Sequence, residues 1–309
     1  METKNNWRGW LYLLPALALL SVFTFYPLIS TFLIAFKENY NYMTNEFTGW
    51  GFDNFVQIFN HQRFLGSFKN TLIIVFVSVP LSTGLALLIA VALNSIKVVQ
   101  RFLTTVFFLP YVTNTIAIGM VFAVMFNSKN GLVNEILRIF GLNPVNWLGG
   151  GGAYREDFQP SQLNSMIVLL TYIVWNSIPF KILILLSGLQ GIDKQYYQAA
   201  QIDATPRWRV FMRITVPLLS PQIAYLLITS FIGAFKEYTS VVAIFGEAAG
   251  PIGRQYTMTT IVWYIYSRMK ATPVVNGMGW AAAGAVVLFF IIMLFTMVNL
   301  YVSKKRVHY

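Results

Sequence analysis

The chain has 309 residues, 56% of them hydrophobic and only 11% charged, with a formal net charge of +11. With a mean hydropathy of +0.60 and about half the charged share of a soluble domain, it reads as a polytopic membrane protein. Its basic residues lie near the ends of apolar runs and form no stripe, which argues against nucleic-acid binding; the lack of cysteine excludes disulfides, thiolate metal sites and thiol catalysis.

The N-terminal stretch METKNNWRGWLYLLPALALLSVFTFYPLISTFLIAF places basic residues before an apolar run of spanning length. It has no small-residue cleavage site and is too long for a signal-peptide core, so it is expected to be a retained first span; a cleaved signal is the alternative. Crossing a bilayer takes about 20 apolar residues. Windows of that kind fall near 10–36, 70–93, 103–126, 165–189, 222–245 and 277–302. Six spans put both termini on one side. The segments on that side, 1–9, 94–102, 190–221 and 303–309, hold 11 Lys/Arg in 57 residues, against 9 in the 102 residues of 37–69, 127–164 and 246–276. The positive-inside bias makes the termini cytoplasmic.

Trp7, Trp10, Tyr26, Trp147 and Tyr301 fall near predicted span ends, where interfacial aromatics belong. The outer segment Gly51–Phe68 alternates apolar and polar residues with near-helical period and is expected to lie along the membrane surface. Gly149–Gly152 precedes no helix of phosphate-loop pattern and reads as a linker. His61 and His308 are far apart in sequence and offer no metal pair.

The segment 190–221 is the least ordinary part of the chain. Asp193 or a neighbour is expected to cap a short helix carrying Tyr197, Ala199, Ala200 and Asp203. Thr205 followed by Pro206 then reads as an N-cap and a first-turn proline. Trp208, Phe211, Met212 and Thr215 recur at i, i+3, i+4 and i+7 on one apolar face, with Arg209 and Arg213 on another. Pro217 should stop or bend the chain before Pro221 opens the next span. The prediction is a helix–turn–helix outside the membrane, with the small Ala199–Ala200 step open to close approach by another surface. An ordinary positive-inside loop with Trp208 against the membrane is the alternative.

The order of these residues resembles the loop of binding-protein-dependent ABC importers written E-A-A-x-x-x-G and, about nine residues later, I-x-L-P. The matching residues are Gln198-Ala199-Ala200, Asp203-Ala204 and Ile214-Thr215-Val216-Pro217. Tyr197, Ile202, Asp203, Trp208 and Phe211 agree with the carbohydrate branch. Two residues depart from the pattern. Gln198 replaces a glutamate and turns an ion pair into a weaker neutral hydrogen bond; Ala204 replaces a glycine and strains the turn if that position has positive φ. Gly51-Phe52-Asp53-Asn54-Phe55, Asn70-Thr71, Phe108-Leu109-Pro110 and Gly250-Pro251 resemble further family elements in the same order.

A resemblance to maltose-type carbohydrate permease subunits implies an all-α integral membrane protein: one transmembrane domain over 1–309 with six transmembrane helices in the type I ABC importer (MetI-like) permease fold, in a prokaryotic plasma membrane. The chain has no G-x-x-x-x-G-K-[ST] phosphate loop. ATP and Mg are therefore assigned to two partner ATPase subunits that dock on the coupling residues Tyr197, Gln198, Ala199, Ala200, Asp203, Ala204, Trp208 and Pro217. A second homologous permease and an extracytoplasmic sugar-binding protein complete the implied machine. No catalytic residue, metal ligand or cofactor of its own is expected.

On the fourth span, Val174, Ser177 and Lys181 share a face at i, i+3 and i+7, with Phe180 beside them; Ser230, Gly233, Ala234 and Glu237 share one on the fifth. The resemblance places solute contacts on Ser177, Phe180, Ser230, Gly233, Ala234 and Glu237, and Lys181 joins them as a polar residue in a span. A Lys181–Glu237 ion pair is one expectation; Lys181 snorkelling to the headgroups and Lys181 meeting an acidic or amino-sugar oligosaccharide are the others. A permease for a polyol or glycerol phosphate is a neighbouring possibility. An ion-coupled secondary transporter, with Glu237 as its coupling carboxylate, is the rival from another class.

Overall fold

The computed structural model describes residues 6–96, 100–149, 160–270 and 276–306. His308 and 150–152 of the glycine run lie outside them. Helices α1 (Asn6–Leu20) and α2 (Tyr26–Phe36) are joined by a π turn at Ser21–Phe25 into one apolar rod over Gly9–Phe36. Three further rods have spanning length: α4 (Gln62–Ser95), α8 (Gln162–Gln190) and α15 (Gly277–Arg306). They satisfy their backbone groups internally, as hydrocarbon requires.

The other two expected spans are broken. Predicted span 103–126 is α5 (Gln100–Val112) and α6 (Thr115–Met125), bent by 96°. Pro110 lies inside α5. Asn114 then leaves the helical region with ψ 117° and accepts from the Ile116 and Ala117 N–H groups, starting α6 afresh. Predicted span 222–245 is α12 (Ser220–Phe235) and α13 (Thr239–Phe245). Lys236 ends α12 as its C-cap, and the Glu237 carboxylate accepts from Ser240 N–H in the first turn of α13. In both breaks a side chain replaces the backbone partner that a continuous helix would have supplied.

Segment 194–218 holds α9 (Lys194–Ile202), α10 (Arg207–Val210), a π turn at Phe211–Thr215 and α11 (Val216–Leu218). Of the two outcomes expected at Pro217, a stop or a bend, the chain takes the bend: the helical path runs through the proline and turns by 67° between Leu218 and Ser220. Both π turns end two residues before a proline, Pro27 and Pro217. Proline offers no N–H to the carbonyl four residues back and crowds it, so a wider turn relieves the contact without ending the helix.

The chain divides into two compact units, 1–65 with 264–290, and 66–263 with 291–309. In the first, β1 (Lys37–Glu38) pairs antiparallel with β2 (Gly49–Trp50), and α3 (Asp53–Asn60) follows. Buried Asn54 donates to Ala35 O at 3.0 Å and Lys37 O at 2.8 Å, tying the end of α2 to α3. The surface segment expected over Gly51–Phe68 is thus α3 and the first turns of α4, parted at His61. In α14 (Ile261–Lys270), the Arg268 guanidinium lies over the Trp280 and Tyr264 rings and contacts His61 Nε2 at 2.7 Å.

Burial, and then the charges of Arg268 and Arg63, hold the His61 pKa below its ordinary 6.5. The folded state therefore binds fewer protons at His61 than the unfolded chain does. This contribution to stability is present above 6.5 and is lost as pH falls through that value toward the depressed folded pKa. Melting curves are expected to show a stability loss as pH falls below 6.5 that His61→Gln reduces. An identical pH dependence in the two proteins would refute the assignment.

The second unit has two apolar clusters, one including Ile74, Phe122, Leu169, Tyr172 and Val241, the other Ala86, Ala90, Leu185, Leu219 and Leu226. The Asn70–Thr71 pair has a structural task there. Asn70 donates to Thr257 O and Thr259 O, and Thr71 Oγ1 accepts from Ile261 N–H. Helices α6 and α13 touch where a Cβ on Gly119 would overlap the Ala243 methyl.

Candidate functional site

Helices α4, α8 and α12, with the break after α12, enclose a cavity of about 250 Å³. Its lining includes Ser177, Lys181, Ser230, Gly233, Ala234 and Glu237, all of them residues singled out on the fourth and fifth spans. Phe180 is not among the lining residues; its ring stacks on Tyr111 with centroids 5.6 Å apart and planes 18° from parallel. Val174, one turn before Ser177 on α8, is buried.

Sequence reasoning missed the α4 wall of Ser78, Val79 and Ser82, along with Ile173, Asn176 and Ser240. A signal was present: Ser78, Ser82 and Thr83 put three hydroxyls within six residues of an apolar window, where polar groups usually face a bundle interior.

Lys181 is 4% exposed. Its Nζ donates to Ser82 Oγ and, at 3.2 Å, to Thr83 Oγ1, both on α4. Glu237 Oε1 instead accepts from Ser240 N–H at 2.9 Å. The expected Lys181–Glu237 ion pair is therefore replaced by two separate arrangements, and Lys181 turns into the bundle and does not snorkel. Each group found neutral partners nearer than the opposite charge, one on a neighbouring helix and one in its own chain turn. Among the described residues no group of three His, Asp or Glu converges as a metal site would require.

The 194–218 segment hangs from the same two helices, leaving α8 at Gln190 and entering α12 at Ser220. Asp193 caps α9, its Oδ1 accepting from Gln195 N–H at 2.9 Å. Asp203 is the C-cap, and Ala204 follows at φ 48°. Thr205 N–H reaches Ala200 O and Ala204 N–H reaches Gln201 O, which together make a Schellman motif. The left-handed residue of that motif is ordinarily glycine, so Ala204 carries Cβ strain of about 1 kcal/mol. Ala204→Gly is expected to remove it and slow amide exchange at Thr205; unchanged or faster exchange would refute this.

The Thr205 cap does not form: Pro206 occupies the N-cap position of α10 without a side-chain bond, and the first helical residue is Arg207. With φ −66° and ψ 143°, Pro206 already has the extended entry that a cap needs. Tyr197 OH and Thr215 Oγ1 are 3.3 Å apart and link α9 to the π turn at Phe211–Thr215. Ala200 is buried, whereas Gln198 and Ala199 are exposed. Pro217 is half-buried. Ile202 and Trp208 are 86% and 69% exposed, with the Trp208 ring against Phe211 at 5.6 Å between centroids. The apolar face read from 208–215 is thus uncovered at its Trp208 end.

This pairing of a polar intrabundle cavity with an exposed loop on the same two helices has relatives. The family described as "Binding-protein-dependent transport system inner membrane component" matches residues 82–307. The chain belongs to that family.

Relatives of this inner membrane component extend over almost its whole length. It is 28% identical to the lactose transport system permease protein of Rhizobium radiobacter, over 97% of this chain and 95% of the relative. It is 30% identical to the trehalose/maltose transport system permease protein of Thermococcus litoralis, over 96% and 94%. Among solved structures, a chain of the bacterial alginate ABC transporter in complex with an alginate pentasaccharide-bound periplasmic protein superposes with a TM-score of 0.78 over 98% of this chain and 96% of that one. At 22% identity that likeness is one of fold. The chain is a multi-pass membrane permease subunit of an ABC transport system.

Proposed function

We propose that this permease subunit forms half of an import pathway for a sugar or oligosaccharide, with both termini cytoplasmic. The observation that carries the reading is mechanical. The helices walling the polar cavity, α8 and α12, are the two that the 194–218 segment connects, so a force on that segment reaches the cavity through rigid rods. Two ATPase subunits holding ATP and Mg supply the force, and one of them seats α9 in its surface. A second permease supplies the rest of the pathway. An extracytoplasmic binding protein brings the solute, as the family's description and the sugar permeases among its relatives suggest.

The lining chemistry agrees. Hydroxyls of Ser78, Ser177 and Ser230 and the amide of Asn176 give exchangeable donors and acceptors, which sugar hydroxyls need when they leave water. Gly233 leaves open space beside its Cα. Solute contact is assigned to Ser177, Lys181, Ser230, Gly233, Ala234 and Glu237, while Phe180 acts one step away through Tyr111.

The test is ATP hydrolysis by the chain assembled with its partner permease and ATPases. Stimulation by a loaded sugar-binding protein, abolished by deleting Tyr196–Pro206, is the expected result. Solute movement by the chain alone under an ion gradient would instead establish a secondary transporter.

A further inference from the structure

The cavity contains one cation and one anion, and the two are not treated alike. The Glu237 carboxylate accepts from donors of its own turn: the Ser240 N–H at 2.9 Å, with the Ser240 hydroxyl and the Tyr238 N–H beside it. Lys181, 4% exposed, has among the described residues only the neutral oxygens of Ser82 and Thr83. An ammonium has three N–H groups, and these bonds use two. Hydroxyls solvate the positive charge but do not cancel it, and a buried charge without a counter-charge is unfavourable until an anion joins it.

A lysine needed only to tie α8 to α4 could be replaced by any neutral donor without that burden. We infer that the cavity takes a polyhydroxylated solute bearing an anionic group, a carboxylate or a phosphate, and that Lys181 is the residue that selects it. The inference rests on the transport reading above and deepens it. The hydroxylated part of the solute meets Asn176, Ser177, Ser230 and Glu237, which accept and donate hydrogen bonds, while the anion completes the third N–H of Lys181.

The experiment uses the complete complex in lipid nanodiscs and measures equilibrium binding of matched probes. Uronic-acid oligosaccharides cut from pectin, alginate and hyaluronan are offered as free acids and as methyl esters. Glycerol 3-phosphate is offered against glycerol. The first arm reports a carboxylate and the second a phosphate. At least one anionic probe should bind about tenfold or more tightly than its neutral counterpart. Lys181→Met should erase that preference and Lys181→Arg should retain much of it.

Equal binding of charged and neutral probes, no binding of any anionic probe, or an unchanged preference in Lys181→Met would overturn the inference. The acid-against-ester comparison within the wild type needs no variant to fold. ATPase stimulation by loaded binding protein is read on the same preparation. Stimulation together with equal probe binding removes the anion inference alone, while an anion preference without any stimulation removes the importer reading alone.

Discussion

Serine in place of both Ile202 and Trp208 is expected to lower binding-protein-stimulated ATP hydrolysis by about thirtyfold, the effect of losing one aromatic anchor of about 2 kcal/mol from a protein interface. The chain's own stability should barely change, because both side chains are largely exposed, at 86% and 69%. Surface replacements of that kind usually stay within about 0.5 kcal/mol. The two readouts separate the possible roles. If the apolar face served folding, melting temperature and activity would fall together. If it is the seat of an ATPase subunit, activity falls alone, and co-purification of the ATPase falls with it. Full stimulation in the double variant would show that the 194–218 segment is not the docking surface.

Asn134→Leu is expected to cost about 3–5 kcal/mol, among the largest effects of any single replacement in the chain. Asn134, on α7 (Leu132–Ile139), is fully buried. Its Nδ2 donates to Ser128 O and Val145 O, each at 2.9 Å, and its Oδ1 accepts from Val145 N–H and Trp147 Nε1–H, each at 3.0 Å. One amide thus uses all four of its bonding positions to close the 127–149 segment on itself. Leucine fills a similar volume but leaves two carbonyls and two N–H groups without the partner they had, the Ser128 carbonyl in a buried position. Limited proteolysis should cut within 127–149 in the variant at protease levels that leave the wild type intact. Asn134→Asp should be cut as well, because a carboxylate opposes both carbonyls that the amide had bonded. Resistance of both variants would mean that the segment is held by other contacts.

How much of this was legible beforehand differs from residue to residue. The Asp193 cap was readable because it follows from the residues of one turn, and the departure at Ala204 because it breaks the family's loop pattern; Ser177 and Glu237, singled out on separate spans, line one cavity. Phe180 was placed beside the Ser177 face as a solute contact yet packs on Tyr111, since a residue beside a stripe turns to whichever neighbour the helix rotation brings near. At Pro217 the chain bends without stopping, because a π turn widens ahead of the proline, and the Thr205 cap does not form because Pro206 is already set at the entry angle.

The membrane class, the helical rods and the segment joining α8 to α12 were all written in the order of the residues. Hydrocarbon leaves few options: an apolar run of sufficient length must bond its own backbone, and charges must collect at its ends. Those are local requirements that any reader of the chain can apply. The packed arrangement of helices set the meeting of Lys181 with Ser82 and Thr83, 99 and 98 positions earlier, and the turn of Glu237 back onto Ser240. It also decided that two of the six apolar windows bend sharply or break and that a third helix walls the cavity. Such pairings depend on how each helix is rotated and crossed against its neighbours. Van der Waals packing between whole helices sets that geometry, and no stretch of adjacent residues encodes it.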